Sequence, residues 1–268
     1  MKQTTKYTNQ PIGTFDGLRH YVNPATGQYI IAGKGGANKT LLKNNPSLDR
    51  CRENYHEWSI VGKWSHQIRR STFDILHLAF GNYTSGLNQF AKNLQKMDVE
   101  STKGIRLIET SKFKPLLTLV NFNTQHPFNK VLIRIPEVIA DSQRKTITVN
   151  IPGFRACNEI IWPKPYGYFR FSLQIGLIFD YVWDENKKEF DEQYPDTMHR
   201  REVVRGEWTS RLADIFDLSL TATFPEEFIL AENASVVVAL GIEIGTNETP
   251  DTISFKKGDG TMAFVACL

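Results

Sequence analysis

The sequence predicts an α+β protein: an N-terminal β-hairpin and long-helix region over residues 1–122, then an antiparallel β-sandwich over residues 123–268, for which the immunoglobulin topology is one form. Three observations carry this prediction. Apolar residues recur at spacings of three and four between positions 45 and 80, as they do along the buried stripe of a helix. From about residue 123 the period shortens to two, in runs rich in β-branched and aromatic side chains. No long helical pattern separates those runs, which argues against a parallel α/β sheet.

The helix is the organising element of the first region. Asn45-Pro46 opens it, because asparagine can accept from a free first-turn N–H and proline has none to leave unsatisfied. Leu48, Cys51, Tyr55, Trp58, Trp64, Ile68, Ile75 and Ala79 form the expected stripe. Arg50, Arg52, Glu53, Glu57, Lys63, Arg69 and Arg70 form the opposite face, and Gly81-Asn82 stops the pattern. A helix of about 35 residues would be about 50 Å long, more than one small core requires, so it is expected to dock against something further. Ahead of it, residues 17–22 and 28–32 read as hairpin strands around Asn23-Pro24-Ala25-Thr26-Gly27, followed by a Gly35-Gly36 pivot. Behind it, Thr84 or Ser85 caps a second, antiparallel helix with Leu87, Phe90, Ala91, Leu94 and Met97 on one face. Residues 105–120 fit no single pattern, since Pro115 interrupts them.

In the second region, strands are predicted at 131–135, 146–151, 168–173, 175–183, 201–209, 215–223, 235–244, 252–255 and 262–267. Turn formers punctuate them at Asp141-Ser142-Gln143, Pro163-Lys164-Pro165 and Asp184-Glu185-Asn186-Lys187.

Several stretches carry a family resemblance. Lys34-Gly35-Gly36, Lys39, Pro46, Arg50-Cys51-Arg52-Glu53-Asn54 and Glu57-Trp58 resemble the N-terminal signature of an uncharacterised family of Bacteroidetes-type bacterial proteins of similar length. Asn150-Ile151-Pro152-Gly153-Phe154, Ala239-Leu240-Gly241-Ile242-Glu243 and Lys256-Lys257-Gly258 look like the middle and tail of the same family. Cys51 stands where the pattern leads one to expect threonine. The resemblance implies a domain layout and no catalytic residue.

With 41% hydrophobic and 23% charged residues the composition is that of a globular protein. The polar stretch from Met1 to Gln10 has no apolar core of a signal peptide, and no apolar run approaches the ~20 residues of a membrane span, so a cytoplasmic protein with no membrane partner is expected, export by a non-classical route being left open. Cys51, Cys157 and Cys267 are scattered among apolar neighbours and are expected to be buried thiols. Charge divides unevenly: residues 1–120 hold 17 Lys+Arg against 8 Asp+Glu, a net +9, and residues 121–268 hold 15 against 21, a net −6. Such a split fits internal neutralisation, a polyanionic partner, or contact between the basic part of one copy and the acidic part of another.

Motifs for chemistry fall short. Gly33-Lys34-Gly35-Gly36-Ala37-Asn38-Lys39-Thr40 is one residue from a phosphate-binding loop, but Asn44-Asn45-Pro46 would end the required helix after one turn and no βαβ unit follows. Histidines and cysteines lack zinc spacing, and the acidic run from Asp180 to Glu192 lacks a calcium-loop pattern. Serine elbows and catalytic-cysteine signatures are missing, so neither enzymatic activity nor a cofactor or metal is expected. Basic residues near Trp58 and Trp64 could meet nucleic acid, although Glu53 and Glu57 interrupt them and a solvated face is the commoner outcome.

The expectation that emerges is a structural or assembly protein forming homo-oligomers. Its hairpin would be an assembly arm presenting Phe15, Leu18, Tyr21, Tyr29 and Ile31. The alternative is a non-catalytic binding module in which Trp162 and Tyr166 face a glycan or protein ligand.

Overall fold

The computed structural model describes residues 11–24, 26–33, 35, 39–192, 200–213, 216–245, 253, 256 and 258–268. The chain clusters into two compact units, 1–52 and 53–268, rather than along the 122/123 line drawn from sequence.

In the first unit, β1 (Gly13–Phe15), β2 (Leu18–Val22) and β3 (Tyr29–Gly33) form an antiparallel sheet in chain order. The expected hairpin therefore carries an additional strand. Asp16 and Gly17 link β1 to β2 with φ of 48° and 77°, the paired left-handed conformation of a tight hairpin turn. After α1 (Lys39–Asn44), Asn45 Oδ1 accepts from Ser47 N at 3.0 Å and starts a 3₁₀ turn, Pro46–Leu48, as the Asn-Pro pair predicts. Arg52 Nη1 donates to the carbonyls of Leu42 and Asn45 at 2.8 and 2.9 Å, tying this connection down.

Helix α2 (Asp49–Ser71) has 23 residues, so it is about 35 Å long and not the 50 Å expected. It stops because the hydroxyls of Ser71 and Thr72 both bond back to the Ile68 carbonyl, at 2.8 and 2.9 Å. The chain continues as a 3₁₀ segment, Phe73–Leu78, whose Ile75 N–H donates to Gln174 Oε1. The buried stripe is also rotated. Ile60, Val61, Trp64 and Ile68 are buried with Glu57, whereas Tyr55 and Trp58 are exposed. Helix α3 (Tyr83–Gln95) buries Leu87, Ala91 and Leu94; its N-cap position is Asn82, and Met97 lies beyond its end and is exposed. Residues 105–120 resolve into two 3₁₀ turns, Thr110–Lys112 and Lys114–Leu119.

The expected strand at 131–135 does not form. Residues there make α4 (Phe128–Val131) and a single bridge, Leu132 to Ile160, because Pro127 and Pro136 bracket the stretch and remove two donors. Then follow β4 (Glu137–Ala140), β5 (Thr146–Phe154), α5 (Ala156–Glu159), β6 (Tyr168–Ile178), β7 (Tyr181–Asp184), β8 (Glu189–Glu192), β9 (Arg201–Arg205), β10 (Thr209–Ser210), β11 (Phe216–Thr223), β12 (Ser235–Gly245) and β13 (Gly260–Cys267). The two strands expected between 168 and 183 redistribute into the long β6 and a separate β7. The strand expected at 252–255 falls largely outside the described residues.

All described pairings between these strands are antiparallel, which with the helices makes an α+β fold. The larger sheet runs β10-β6-β12-β13, with β9 also on β6; a second runs β11-β5-β4, and β7 pairs with β8. Alternation along β6 and β12 assigns two faces. On one, Ser172, Gln174 and Gly176 lie opposite Gly241, Ala239 and Val237 and meet the end of α2 and the 3₁₀ segment. Gly176 permits that approach: a Cβ there would lie 2.4 Å from the Ser71 carbonyl oxygen. On the other face, Phe169 and Phe171 receive Phe154 of β5 edge to face, at 5.9 and 5.6 Å. Every residue of β12 is buried, as expected for the strand with cover on both faces.

Candidate functional site

The N-terminal sheet is the candidate site. Register places Phe15 opposite Leu18, His20 opposite Ile31 and Val22 opposite Tyr29, so these six side chains share one face; Tyr21 and Ile30 share the other. Four of the five predicted arm residues, Phe15, Leu18, Tyr29 and Ile31, thus stand together and Tyr21 does not. Phe15, His20 and Tyr29 form an aromatic row with ring centroids 5.7 and 5.9 Å apart. Tyr29 Oη donates to the Pro11 carbonyl at 2.8 Å and lies 2.7 Å from His20 Nδ1, which fixes both rings. Phe15, Leu18 and Ile31 are 47%, 42% and 56% exposed. No described residue from 11 to 52 is buried. With no buried residue among those described in this unit, the three-stranded sheet has an apolar face without the burial that ordinarily holds so small a sheet together.

Two carboxylates in the second unit are buried and fully used. Glu57 on α2 accepts from Arg106 Nε and Nη2, both at 2.8 Å, from Lys92 Nζ at 2.5 Å and from Gly104 N at 3.0 Å. Burial works to raise its pKa, but those hydrogen bonds prevail and hold it at about 2. Glu243 on β12 accepts from Arg170 Nε at 2.5 Å and Ser172 Oγ at 2.8 Å, with His77 Nε2 at 3.6 Å. There too burial is outweighed and the pKa falls below the usual carboxylate range. Neither group is open to a ligand, so both read as parts of the scaffold.

Trp162 and Tyr166 line one cavity of about 440 Å³ together with Cys157, Pro163, Lys164 and Arg211. Tyr166 departs from its expected role as a ligand-facing ring. It is buried, its hydroxyl lies 3.3 and 3.2 Å from the carbonyls of Ala156 and Ile160, and the Arg211 guanidinium covers its ring at 5.0 Å. Burial pushes its phenol up to about 12. Trp162 is half-buried, 4.7 Å from the His126 ring. Cys51 and Cys157 are exposed, against expectation, and only Cys267 is partly covered. The reason is local: Cys51 lies on the outward side of the rotated α2 stripe, and Cys157 on the exposed side of the short α5, which buries Ala156 instead.

Most of the acidic run lies on the β7–β8 hairpin, where Lys187 pairs with Asp184 and Asp191, and Asp180 lies just ahead of it. Asp180 accepts from Ser111 N and Oγ, and Asp184 accepts from Asn186 N and Lys187 N in the turn between β7 and β8. Among the described residues no group of three His, Cys, Asp or Glu could hold a metal, and no helix is long and apolar enough to cross a membrane. Of the loop resembling a phosphate cradle, Lys34, Gly36, Ala37 and Asn38 lie outside the described residues. The strand before it, β3, belongs to an antiparallel sheet rather than to the parallel one such a loop requires. The shared apolar face was partly legible in sequence. The missed strand β1 was signalled by Asp16-Gly17 between Phe15 and Leu18, the strongest short hairpin cue.

No known protein family, curated protein or solved structure matches the chain.

Proposed function

We propose that this protein is a non-catalytic assembly subunit that forms homo-oligomers by laying the Phe15–Leu18–Tyr29–Ile31 face of its N-terminal sheet on another copy. The observation that carries the reading is the combination of an apolar strand face with the lack of any buried residue among those described from 11 to 52. Covering three such side chains contributes on the order of several kcal/mol, enough to order the sheet and hold a contact. The opposed charges of residues 1–120 and 121–268 would orient copies head to tail. In the same reading the five- and three-stranded sheets are the two leaves of a sandwich, and the protein acts in the cytoplasm without a cofactor or membrane. Membership of the bacterial family it resembles is part of the proposal and adds no residue role. Light scattering coupled to size exclusion tests it: the intact chain elutes as a multiple of its mass, and Leu18→Lys/Ile31→Lys elutes as a folded monomer. A monomeric intact chain across the micromolar range contradicts it.

A further inference from the structure

We infer that a cleft beside the C-terminal end of α2 binds a small phosphorylated ligand carrying a planar ring. Its walls are His66, Arg69, Arg70, Phe73, Tyr83 and Arg201, with Leu76 at the back, around about 380 Å³. That volume is at the small end of the range of about 300–1,000 Å³ typical of ligand sites and accommodates roughly one nucleotide-sized molecule.

Three guanidinium groups converge there and no carboxylate is among the lining residues. Arg201 reaches in from β9, fixed by Nε donating to Asp74 Oδ2 at 2.7 Å and by its place 5.1 Å over the Phe73 ring. Arg69 donates Nε to the Ser65 carbonyl at 3.3 Å, and its terminal N–H groups have no partner among the described residues. Arg70 is exposed and also has no such partner among them. Cations in the last turn of a helix offset the negative end of its dipole, which accounts for Arg69 and Arg70 being on α2. Asp74 offsets the charge of Arg201 alone, so Arg69 and Arg70 leave the cleft with an excess of positive charge that a phosphate group would match. Guanidinium forks match phosphate oxygens two at a time, and they hold the charge at any physiological pH.

The ring requirement comes from Phe73 and Tyr83. Phe73 is 61% exposed and lines the cleft, and Tyr83 opens α3 beside it. Aromatic faces next to cations accept a planar group by stacking while the phosphate reaches the arginines. A nucleic-acid strand would need a basic track running on past the cleft. Outside it, Asp74 is engaged by Arg201, and Arg205 of β9 donates to the Asp74 carbonyl at 2.8 Å and faces Glu243 at 3.9 Å.

Adenosine monophosphate, inorganic phosphate and adenosine, each titrated calorimetrically into the intact protein, test the site. The monophosphate binds with a Kd of about 1 mM or lower, and each half-ligand binds at least about tenfold more weakly. Arg69→Ala/Arg70→Ala lowers its affinity by about tenfold or more, both side chains being outward enough for the fold to persist by circular dichroism. Phe73→Ala weakens the monophosphate by a larger factor than it weakens phosphate, since it removes the stacking face as well as one support of Arg201. The inference is overturned if no saturable heat is seen, or if the double variant binds as wild type. It is also overturned if short oligothymidylate binds more tightly than the monophosphate through the same arginines with a steep salt dependence, since the ligand would then be a strand.

Discussion

Arg106 grips the Glu57 carboxylate with two parallel hydrogen bonds of 2.8 Å, so a glutamate 1% exposed sits on the inner face of α2 where a hydrophobic residue would ordinarily lie. Lys92 from α3 and the Gly104 N–H complete the set and join α2, α3 and the following loop at one point.

This arrangement ties stability to acid. The folded-state pKa of Glu57, about 2, is below its ordinary 4.5, so its contribution is fully present above about 4.5 and is lost as pH falls toward 2. Glu57→Gln is expected to cost about 3 kcal/mol at neutral pH. It also flattens the decline in stability between about pH 4.5 and 2 that the native chain shows. Urea melts of both proteins at a series of pH values check this, and parallel pH profiles would dismiss the role.

A second prediction separates two glycines on the same face of the larger sheet. A Cβ at Gly176 would meet the Ser71 backbone oxygen at 2.4 Å, whereas one at Gly241 would meet the Leu78 Cδ1 atom at 2.5 Å. Backbone cannot step aside and a leucine methyl can rotate. Gly176→Ala is therefore expected to destabilise by about 3 kcal/mol and Gly241→Ala by about 1 kcal/mol. Thermal denaturation of the pair decides it, and equal losses would contradict the close approach of α2 to β6.

The hydroxyl of Tyr166 gives a third. Burial pushes its pKa up to about 12, so in an alkaline absorbance titration a phenol ionising near pH 12 while the chain stays folded is missing from Tyr166→Phe. Loss of an earlier-ionising group instead would place that ring in solvent.

Much of this architecture was legible in the chain, and the departures have physical causes. Residues 146–151, 235–244 and 262–267 lie within β5, β12 and β13 because alternating or continuous β-branched runs have few alternatives. Asn45-Pro46 and the Asp184 turn followed from side-chain hydrogen bonding that acts within a few residues. The α2 stripe was misplaced because periodicity counts glutamate as outward, and only the distant Arg106 and Lys92 make burying Glu57 tolerable. Helix length failed for a related reason, since the break at Thr72 is completed by Gln174, a residue of β6. The short β4 and β8 have too few residues to show a period at all. Of the candidate site, composition indicated an apolar hairpin. Which side chains share a face required the register that Asp16-Gly17 sets.

A fourth prediction concerns that register. Gly17→Val places a branched side chain at φ 77° and is expected to cost about 2 kcal/mol in the N-terminal sheet, splaying Phe15 away from Leu18. Assembly should weaken while the thermal transition of residues 53–268 stays in place; an unchanged oligomer would show that β1 takes no part.

If the Phe15–Ile31 face is covered by another copy, amide exchange of the intact chain, read by mass spectrometry as protein concentration rises, reports the contact at the residues that make it. Peptides spanning residues 13–33 are expected to become progressively protected as the oligomer forms, and Leu18→Lys/Ile31→Lys to abolish the protection. Exchange in that segment that stays the same from dilute to concentrated protein, while light scattering shows an oligomer, would contradict it.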